Sequence, residues 1–418
     1  MSDDVMGLVM ERQPERSRER GGWLERISRS RVEAALGSLE EGELVLTTGT
    51  GTATFRGAHP GPRGEITVLD PRAWNALAFR GVLGGAEAYM NGWWRAEDLV
   101  DVIRVFARNA AFFGAIDDGS KWKRPWLRLL HSLRDNDREG SRRNIHDHYD
   151  LGNDFFASFL DPSLTYSAAV FEQSGMSLEA AQTAKYERLC RKLELSSAHH
   201  VLEIGTGWGG FALHAAHTRG CRVTTTTISR EQYALARERI ERAGLAGQVE
   251  ILLEDYRDLR GSYDRIVSIE MIEAVGHRHL PRFFEVCANR LACNGAMALQ
   301  AILVPERFWE HSKRSVDFIK RYIFPGGQLV GLGAISQAMA GTALHLVHYE
   351  DITAHYAETL RRWRERFLAS RAQIAALGMD ERFVRTWEFY LAYCEGAFHE
   401  RLNLTAQLVF ENGSAIRD

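Results

Sequence analysis

The chain has 418 residues, 45% hydrophobic and 26% charged, the balance of a globular protein with room for two or three domains. A formal net charge of −3 argues against a nucleic-acid binder held by phosphate attraction. Five scattered cysteines with no CxxC pair point away from zinc knuckles and redox motifs and toward reduced thiols in the cytoplasm, so no metal site is expected.

Residues 1–22 are charged, arginine-rich and poor in large apolar groups, which predicts disorder, and they lack the apolar core of a signal peptide. Residues 23–114 read as a small α+β domain. ELVLTT, TATFRG and GEITVLD are strands between Gly and Pro turns, and DLVDVIRVFARNAAFF carries apolar positions at helical spacing. Residues 115–147 mix Trp122, Trp126 and several leucines with many Lys and Arg. This is either a solvated linker helix or a basic amphipathic segment resting on an anionic membrane surface. No run of about 18 apolar residues occurs, so membrane contact is expected to be peripheral, on the inner surface.

From residue 148 to 418 the pattern predicts one α/β domain, doubly wound and Rossmann-like. VLEIG, RVTTTTI, VEILLED, YDRIVSIEM and AMALQAIL alternate with helical stretches, and helices return beyond about residue 303. HHVLEIGTGWGG is a strand, a glycine turn and a helix start, where the backbone can approach a ligand and the helix N-terminus favours anionic groups. Gly205, Thr206 and Gly207 lie in that turn. Glu203 stands at the acidic position of the first motif of S-adenosylmethionine (SAM) methyltransferases. The second strand ends with Thr227 and Gln232 where NAD enzymes place an acid, which disfavours NAD. Asp255 and Tyr256 follow the third strand, where this fold lines the adenine. SAM is the expected cofactor.

HYDLGNDFF, FLDPSLTYS, VLEIGTGWGG, TISREQ, DYRDL, YDRIVSIEMIEAVG, YIFPGG and YLAYCEGAFHERLNL together resemble the cyclopropane-fatty-acid synthases and the related mycolic-acid cyclopropane synthases, over about residues 140–410. The resemblance implies that the C=C bond of an unsaturated phospholipid acyl chain attacks the SAM methyl group. A base, thought to be bound bicarbonate, then removes a proton. It also implies a lid over SAM at residues 148–171 with Tyr166 and Ser167 near the SAM carboxylate, and a homodimer is the expected assembly. Of the family's bicarbonate holders, the Glu is retained as Glu273, the Ile as Ile302 and the Tyr as Tyr356, while the Cys is Ala168 and the His is Gln300; Glu273 is expected to organise proton removal, directly or through a bound anion or water. Cys394 matches a cysteine often marked as active, although an alkene nucleophile needs no thiolate and packing is the expected role. Tyr149, Phe155 and Phe156 are candidates for stabilising a cation through their ring faces or for plain core packing, Trp208 and Phe211 for packing the SAM helix, and His148 for the lid.

The expected function is therefore SAM-dependent one-carbon transfer to an unsaturated acyl chain of a phospholipid. The altered base site leaves cyclopropane and methyl- or methylene-branched products equally open. The rivals are a catalytically weak lipid-binding homologue and a methyltransferase for a soluble small molecule.

Overall fold

The computed structural model describes residues 22–109 and 151–413. The N-terminal stretch expected to be disordered, the basic segment 115–147, and His148 and Tyr149 of the expected lid lie outside the described residues.

The first unit runs α1 (Trp23–Leu36), β1 (Glu41–Thr48), β2 (Gly51–Arg56), β3 (His59–Val68), α2 (Arg72–Met90), β4 (Trp94–Ala96) and α3 (Leu99–Arg108). The four strands form one sheet in the order β2-β1-β3-β4, with β1 and β3 parallel. β1 alternates as its sequence predicts, and Leu44 and Leu46 point inward. Asp98 caps α3 by accepting from the Val100 N–H at 2.8 Å. α2 is bent at Gly81, whose φ of 55° and ψ of −139° suit glycine alone. At Gly84 a side chain would collide with the Ala76 carbonyl, so the bend brings its two arms together.

The second unit begins with α4 (Asn153–Ala157) and α5 (Leu178–Lys192). Then come β5 (His200–Ile204), α6 (Gly210–Arg219), β6 (Arg222–Thr226), α7 (Arg230–Arg242), β7 (Val249–Leu252), β8 (Tyr263–Ile269), α8 (Leu280–Arg290) and β9 (Leu291–Leu303). It ends with α9 (Glu306–Arg314), α10 (Phe318–Tyr322), α11 (Leu332–Met339), β10 (Leu344–Asp351), α12 (Thr353–Ala369), α13 (Arg371–Ala376), α14 (Glu381–His399) and β11 (Leu404–Asn412). The sheet order is β10-β11-β9-β8-β5-β6-β7, parallel from β9 to β7 and antiparallel at β11 and β10. This is the expected doubly wound α/β class. The two reversed strands are a correction, because only helices were expected beyond residue 303. β11 inserts between β10 and β9 and is buried along most of its length, so it lacks the alternation that marks a half-buried strand.

α14 joins the two units. A side chain at Gly396 would meet Ile103 of α3 at 2.7 Å, so the helices touch closely there. Beside this contact Glu400 accepts from Arg104 at 2.7 Å and from Arg108 at 2.6 Å. Across the same junction Glu87 of α2 accepts from the Tyr322 hydroxyl at 2.6 Å.

Candidate active site

Five strand ends deliver the polar groups to one place, as the carboxyl edge of a doubly wound sheet does. After β5 the chain turns through Gly205 and Gly207, at φ 102° and 52°. A side chain on Gly205 would stand 3.2 Å from Met271, and one on Gly210 would run into the Tyr186 hydroxyl. The turn is thus held close to its neighbours and leaves the backbone as the ligand-facing surface. Glu203 at the end of β5 accepts from the Thr225 hydroxyl at 2.6 Å, and Thr206 and Thr225 share a hydrogen bond at 2.7 Å. Burial pushes the Glu203 carboxyl up to about 8. After β6, Thr227 donates to Gln232 at 2.9 Å. After β7, Asp255 accepts from the Arg257 N–H at 3.0 Å, and Tyr256 packs edge-on against Phe283. All of these residues except Thr225 and Phe283 line one cavity of about 1420 Å³, together with Tyr166 and Ser167. The donor and acceptor set fits SAM: a backbone turn for its charged end, Thr227 and Gln232 on the second strand, and Asp255 and Tyr256 on the third.

The most informative residue was not among those expected. Glu270 follows β8 directly and holds φ 48°, a left-handed conformation uncommon for a residue with a side chain. Its Oε1 accepts from the Ala168 N–H at 2.9 Å and from Gln300 Nε2 at 2.8 Å, and its Oε2 accepts from the Tyr356 hydroxyl at 3.0 Å. Those are three of the positions that the resemblance assigns to a bicarbonate. The carboxylate of Glu270 takes up their donors, so the residues present do not fit a bicarbonate there.

Strand register builds this cradle. β8 pairs with β9 so that Ile269 lies opposite Gln300, and the Glu270 N–H donates to the Gln300 carbonyl at 2.8 Å. β11 pairs with β9 so that Gln407 lies opposite Gln300, and Gln407 Nε2 donates to Gln300 Oε1 at 2.9 Å. Lys192 Nζ then donates to Gln407 Oε1 at 2.7 Å and to Glu350 at 2.5 Å. A lysine ammonium can only donate, which fixes both amides. Gln407 must accept at its oxygen and donate from its nitrogen, and Gln300 must do the same. The Gln300 nitrogen therefore points at Glu270, and the cradle demands an acceptor, which an ionised carboxylate satisfies. Burial raises the Glu270 pKa, against the opposing pull of Gln300, the Ala168 N–H, the Lys185 ammonium and the Tyr356 hydroxyl.

Glu273 stands one turn further on and holds a different partner. Its Oε1 accepts from the Ile302 N–H at 2.5 Å, while its Oε2 has no partner among the described residues. Burial, followed by repulsion from Glu270, pushes its carboxyl up to about 8, so it is mostly protonated at neutral pH. Lys185, fully enclosed on α5, donates to the Ser167 hydroxyl at 2.7 Å. Burial lowers its pKa to about 7, against the pull of Glu270, Asp161 and Glu203. Residues with one charged group are commonplace on surfaces, so neither Glu270 nor Lys185 carried a signal until the fold set them together.

The remaining expectations fall as follows. Tyr356 and Ile302 reach the cavity wall, and Ala168 and Gln300 lie buried behind it. Cys394 lines the cavity half-buried, and burial pushes its thiol up, so it stays protonated. Trp208 donates to Asn153 at 2.8 Å, and Phe211 packs in the core beside Tyr186. Phe155 and Phe156 sit in an aromatic core with Phe159 and Trp387, away from the cavity wall. The rings that do line the cavity are Tyr166, Phe324, Tyr356, Tyr390 and Phe398 among others; Tyr356 stacks on Phe398 at 4.5 Å. Among the described residues no cluster suited to a metal ion occurs, and no helix is long and apolar enough to cross a membrane.

Comparison with known proteins is consistent with this geometry. Residues 136–408 match the family model for mycolic acid cyclopropane synthetase. Over 368 residues the chain is 43% identical to the tuberculostearic acid methyltransferase UfaA1 of Mycobacterium tuberculosis, covering 85% of this chain and 84% of that protein. It is 37% identical to the cyclopropane-fatty-acyl-phospholipid synthase of Escherichia coli, covering 84% and 88%. The solved mycolic acid cyclopropane synthase CmaA1 complexed with SAH and CTAB is similar at TM-score 0.61 and 29% identity, over 65% of this chain and 98% of that one.

Proposed function

The chain belongs to the mycolic acid cyclopropane synthetase family and is a SAM-dependent enzyme acting on unsaturated lipid chains; from that premise we propose that it transfers the SAM methyl group to the double bond of an unsaturated acyl chain in a phospholipid, with Glu270 as the base. The observation that carries this reading is the Glu270 carboxylate seated on the Ala168 N–H, the Gln300 amide and the Tyr356 hydroxyl. Gly205, Thr206, Gly207, Glu203, Thr227, Gln232, Asp255 and Tyr256 hold SAM, with Tyr166 and Ser167 at its carboxylate and Lys185 behind Ser167. When bound, SAM supplies an electrophilic methyl group.

With SAM bound, the alkene π pair would form the new C–C bond to its methyl group as the S–C pair returned to sulfur, and positive charge would be left on the neighbouring chain carbon. The electron-rich faces of Tyr166, Tyr356 and Tyr390 favour that cation, and the apolar wall keeps water from capturing it. Glu270 takes one proton from the alkylated chain. The C–H electrons then either close a three-membered ring or, after a hydride shift along the chain, form a methylene group. We favour the methylene branch, because the base is anchored to the protein and because the 43%-identical relative is named for a branched acid. In this reading the enzyme works on the cytoplasmic membrane surface, where its acyl-chain substrate would be met.

The test is the full-length chain with SAM and dioleoylphosphatidylglycerol vesicles, read by mass spectrometry. A gain of one CH2 per oleoyl chain, undiminished when bicarbonate is stripped, is expected. The product should then take up two hydrogens on mild hydrogenation. No CH2 gain on vesicle lipid refutes the function, a hydrogenation-resistant product refutes the branch, and bicarbonate dependence refutes Glu270 as the base.

A further inference from the structure

The cavity does not end at the active site. Its wall continues through the α14 junction into the N-terminal unit, along Val102, Ile103 and Phe106 of α3 to Leu44, Leu46 and Ile66 of the sheet. Those residues belong to, or pack against, the hydrophobic core of that unit. A domain core is ordinarily packed as densely as an organic crystal, and an empty apolar void is destabilising in proportion to its volume. A core whose members face a shared hollow is therefore the mark of a ligand-filled core. The chemistry of the wall states what fills it. Of the N-terminal residues on it, among those described, only Arg31 is charged, and the rest are aliphatic or aromatic side chains and glycines. At about 1420 Å³ the cavity exceeds the roughly 300–1,000 Å³ typical of a small-molecule site, which leaves space beyond a nucleoside cofactor.

The hollow also has a surface opening. Phe79 and Val82 flank the Gly81 bend, line the cavity and are each 45% exposed. Arg31 is exposed and lines the cavity too, and Ile27 and Trp23 continue its face of α1 one and two turns back, both exposed. Exposed Trp, Ile, Phe and Val interleaved with Arg26 and Arg31 make a patch suited to the headgroup boundary of an anionic bilayer.

We propose that the N-terminal unit is an acyl-chain-binding module: its hollow core takes one stretch of the chain being alkylated, which enters from the lipid surface between Arg31, Phe79 and Val82. The matched family segment, residues 136–408, leaves this unit aside. The module therefore adds a pocket to the shared catalytic domain. This rests on the acyl substrate proposed above, but its test does not need turnover.

Dioleoylphosphatidylglycerol vesicles are doped with lipids bearing a diazirine on the carboxyl side or, separately, on the methyl side of the oleoyl double bond. The full-length chain is photolabelled and its labelled peptides are mapped. Labelling by at least one probe at wall residues such as Leu46, Ile66 or Leu77 is expected, and labelling confined to the catalytic unit with both probes overturns the module. Ala78→Trp, which fills the hollow from α2, should abolish that labelling. It should also lower kcat/KM on oleoyl lipid by about tenfold or more while SAH affinity stays unchanged. Ala78→Trp protein that labels and turns over as wild type also overturns it. If the vesicles gain no CH2 yet the wall is labelled, the module stands and the reaction assignment fails.

Discussion

The two ends of the cavity are built by opposite means. At the catalytic end the Glu270 cradle is fixed by strand register, in a chain from Lys192 through Gln407 and Gln300 to Glu270. At the N-terminal end the wall is shaped by Leu44, Leu46, Ile66 and their neighbours, which among the described residues are apolar apart from Arg31. A hydrogen-bonded cradle has a direction, and reversing one member reverses the demand on all the others. An apolar wall has only volume, so it responds by degrees. Substitutions at the first end should therefore act as switches, and substitutions at the second, such as Ala78→Trp, should shift chain preference. The catalytic end offers three tests of that contrast.

The largest effect is expected for Glu270→Gln. The amide keeps the size of the side chain but brings an NH2 group to a cradle of donors, and it removes the proton acceptor. A general base is worth roughly 10²- to 10⁴-fold, so turnover should fall within that range while SAH affinity by calorimetry stays near wild type. Wild-type turnover should fall on the acid side as Glu270 takes up a proton. Because its pKa is raised, that limb should lie above the ordinary carboxylate value of 4.5. A fully active Glu270→Gln would remove the switch from this end of the cavity.

That residue also marks where reading the chain by itself stopped. Gly205, Gly207, Gln300, Ile302 and Tyr356 were legible because each sits in a motif with a recognisable flank. Glu270 directly follows the strand in YDRIVSIEMIEAVG, and nothing local distinguishes it from Glu273. Only the β8–β9 pairing, with the 168 and 356 segments folded over it, makes it the occupant of the cradle. Gln407 was hidden for a related reason. The fully buried β11 has no alternating pattern, and its place opposite Gln300 is a tertiary fact. The strands of the N-terminal unit were legible from alternation, but alternation identifies an inward face and is silent on whether that face meets another or a hollow.

The next effect in size is expected for Gln407→Leu, a residue that touches neither cavity nor substrate and acts by positioning Gln300. Without its NH2 group, Gln300 Oε1 loses the donor that fixes the amide, and the Gln300 nitrogen is no longer compelled to face Glu270. A buried polar group left unpaired costs about 1–3 kcal/mol, and a loss of about tenfold in kcat follows at the low end of that range. The Gln300 hydrogen bond is the strongest of the interactions that lower the Glu270 pKa. The acid limb of the pH–rate profile should therefore move to higher pH, which a purely structural role for Gln407 would not produce. Gln407→Glu, which keeps an acceptor for Lys192 but donates nothing to Gln300, should move the limb the same way.

The smallest effect is expected for Glu273→Gln, and it is one of stability against pH. In the folded protein the Glu273 carboxyl titrates near 8, against an ordinary 4.5. Between those two values the native state keeps a proton that the unfolded chain has lost. Wild-type stability supported by this group is thus complete below about pH 4.5 and is lost as pH rises toward 8. The glutamine carries no charge at any pH and does not share that loss. The difference in melting temperature, variant minus wild type, should consequently grow from about pH 5 to about pH 9. Each pKa step is worth at most about 1.4 kcal/mol. Glu273 faces the cavity, where water can relax a buried charge, so a gap of about 1 kcal/mol is the expected order. The Ile302 N–H still finds an oxygen on the glutamine, and turnover should change far less than in Glu270→Gln. If the gap is flat with pH while turnover collapses, then Glu273 is already ionised and acts as the base, and the division of labour between the two carboxyls is the reverse of the one argued from the cradle.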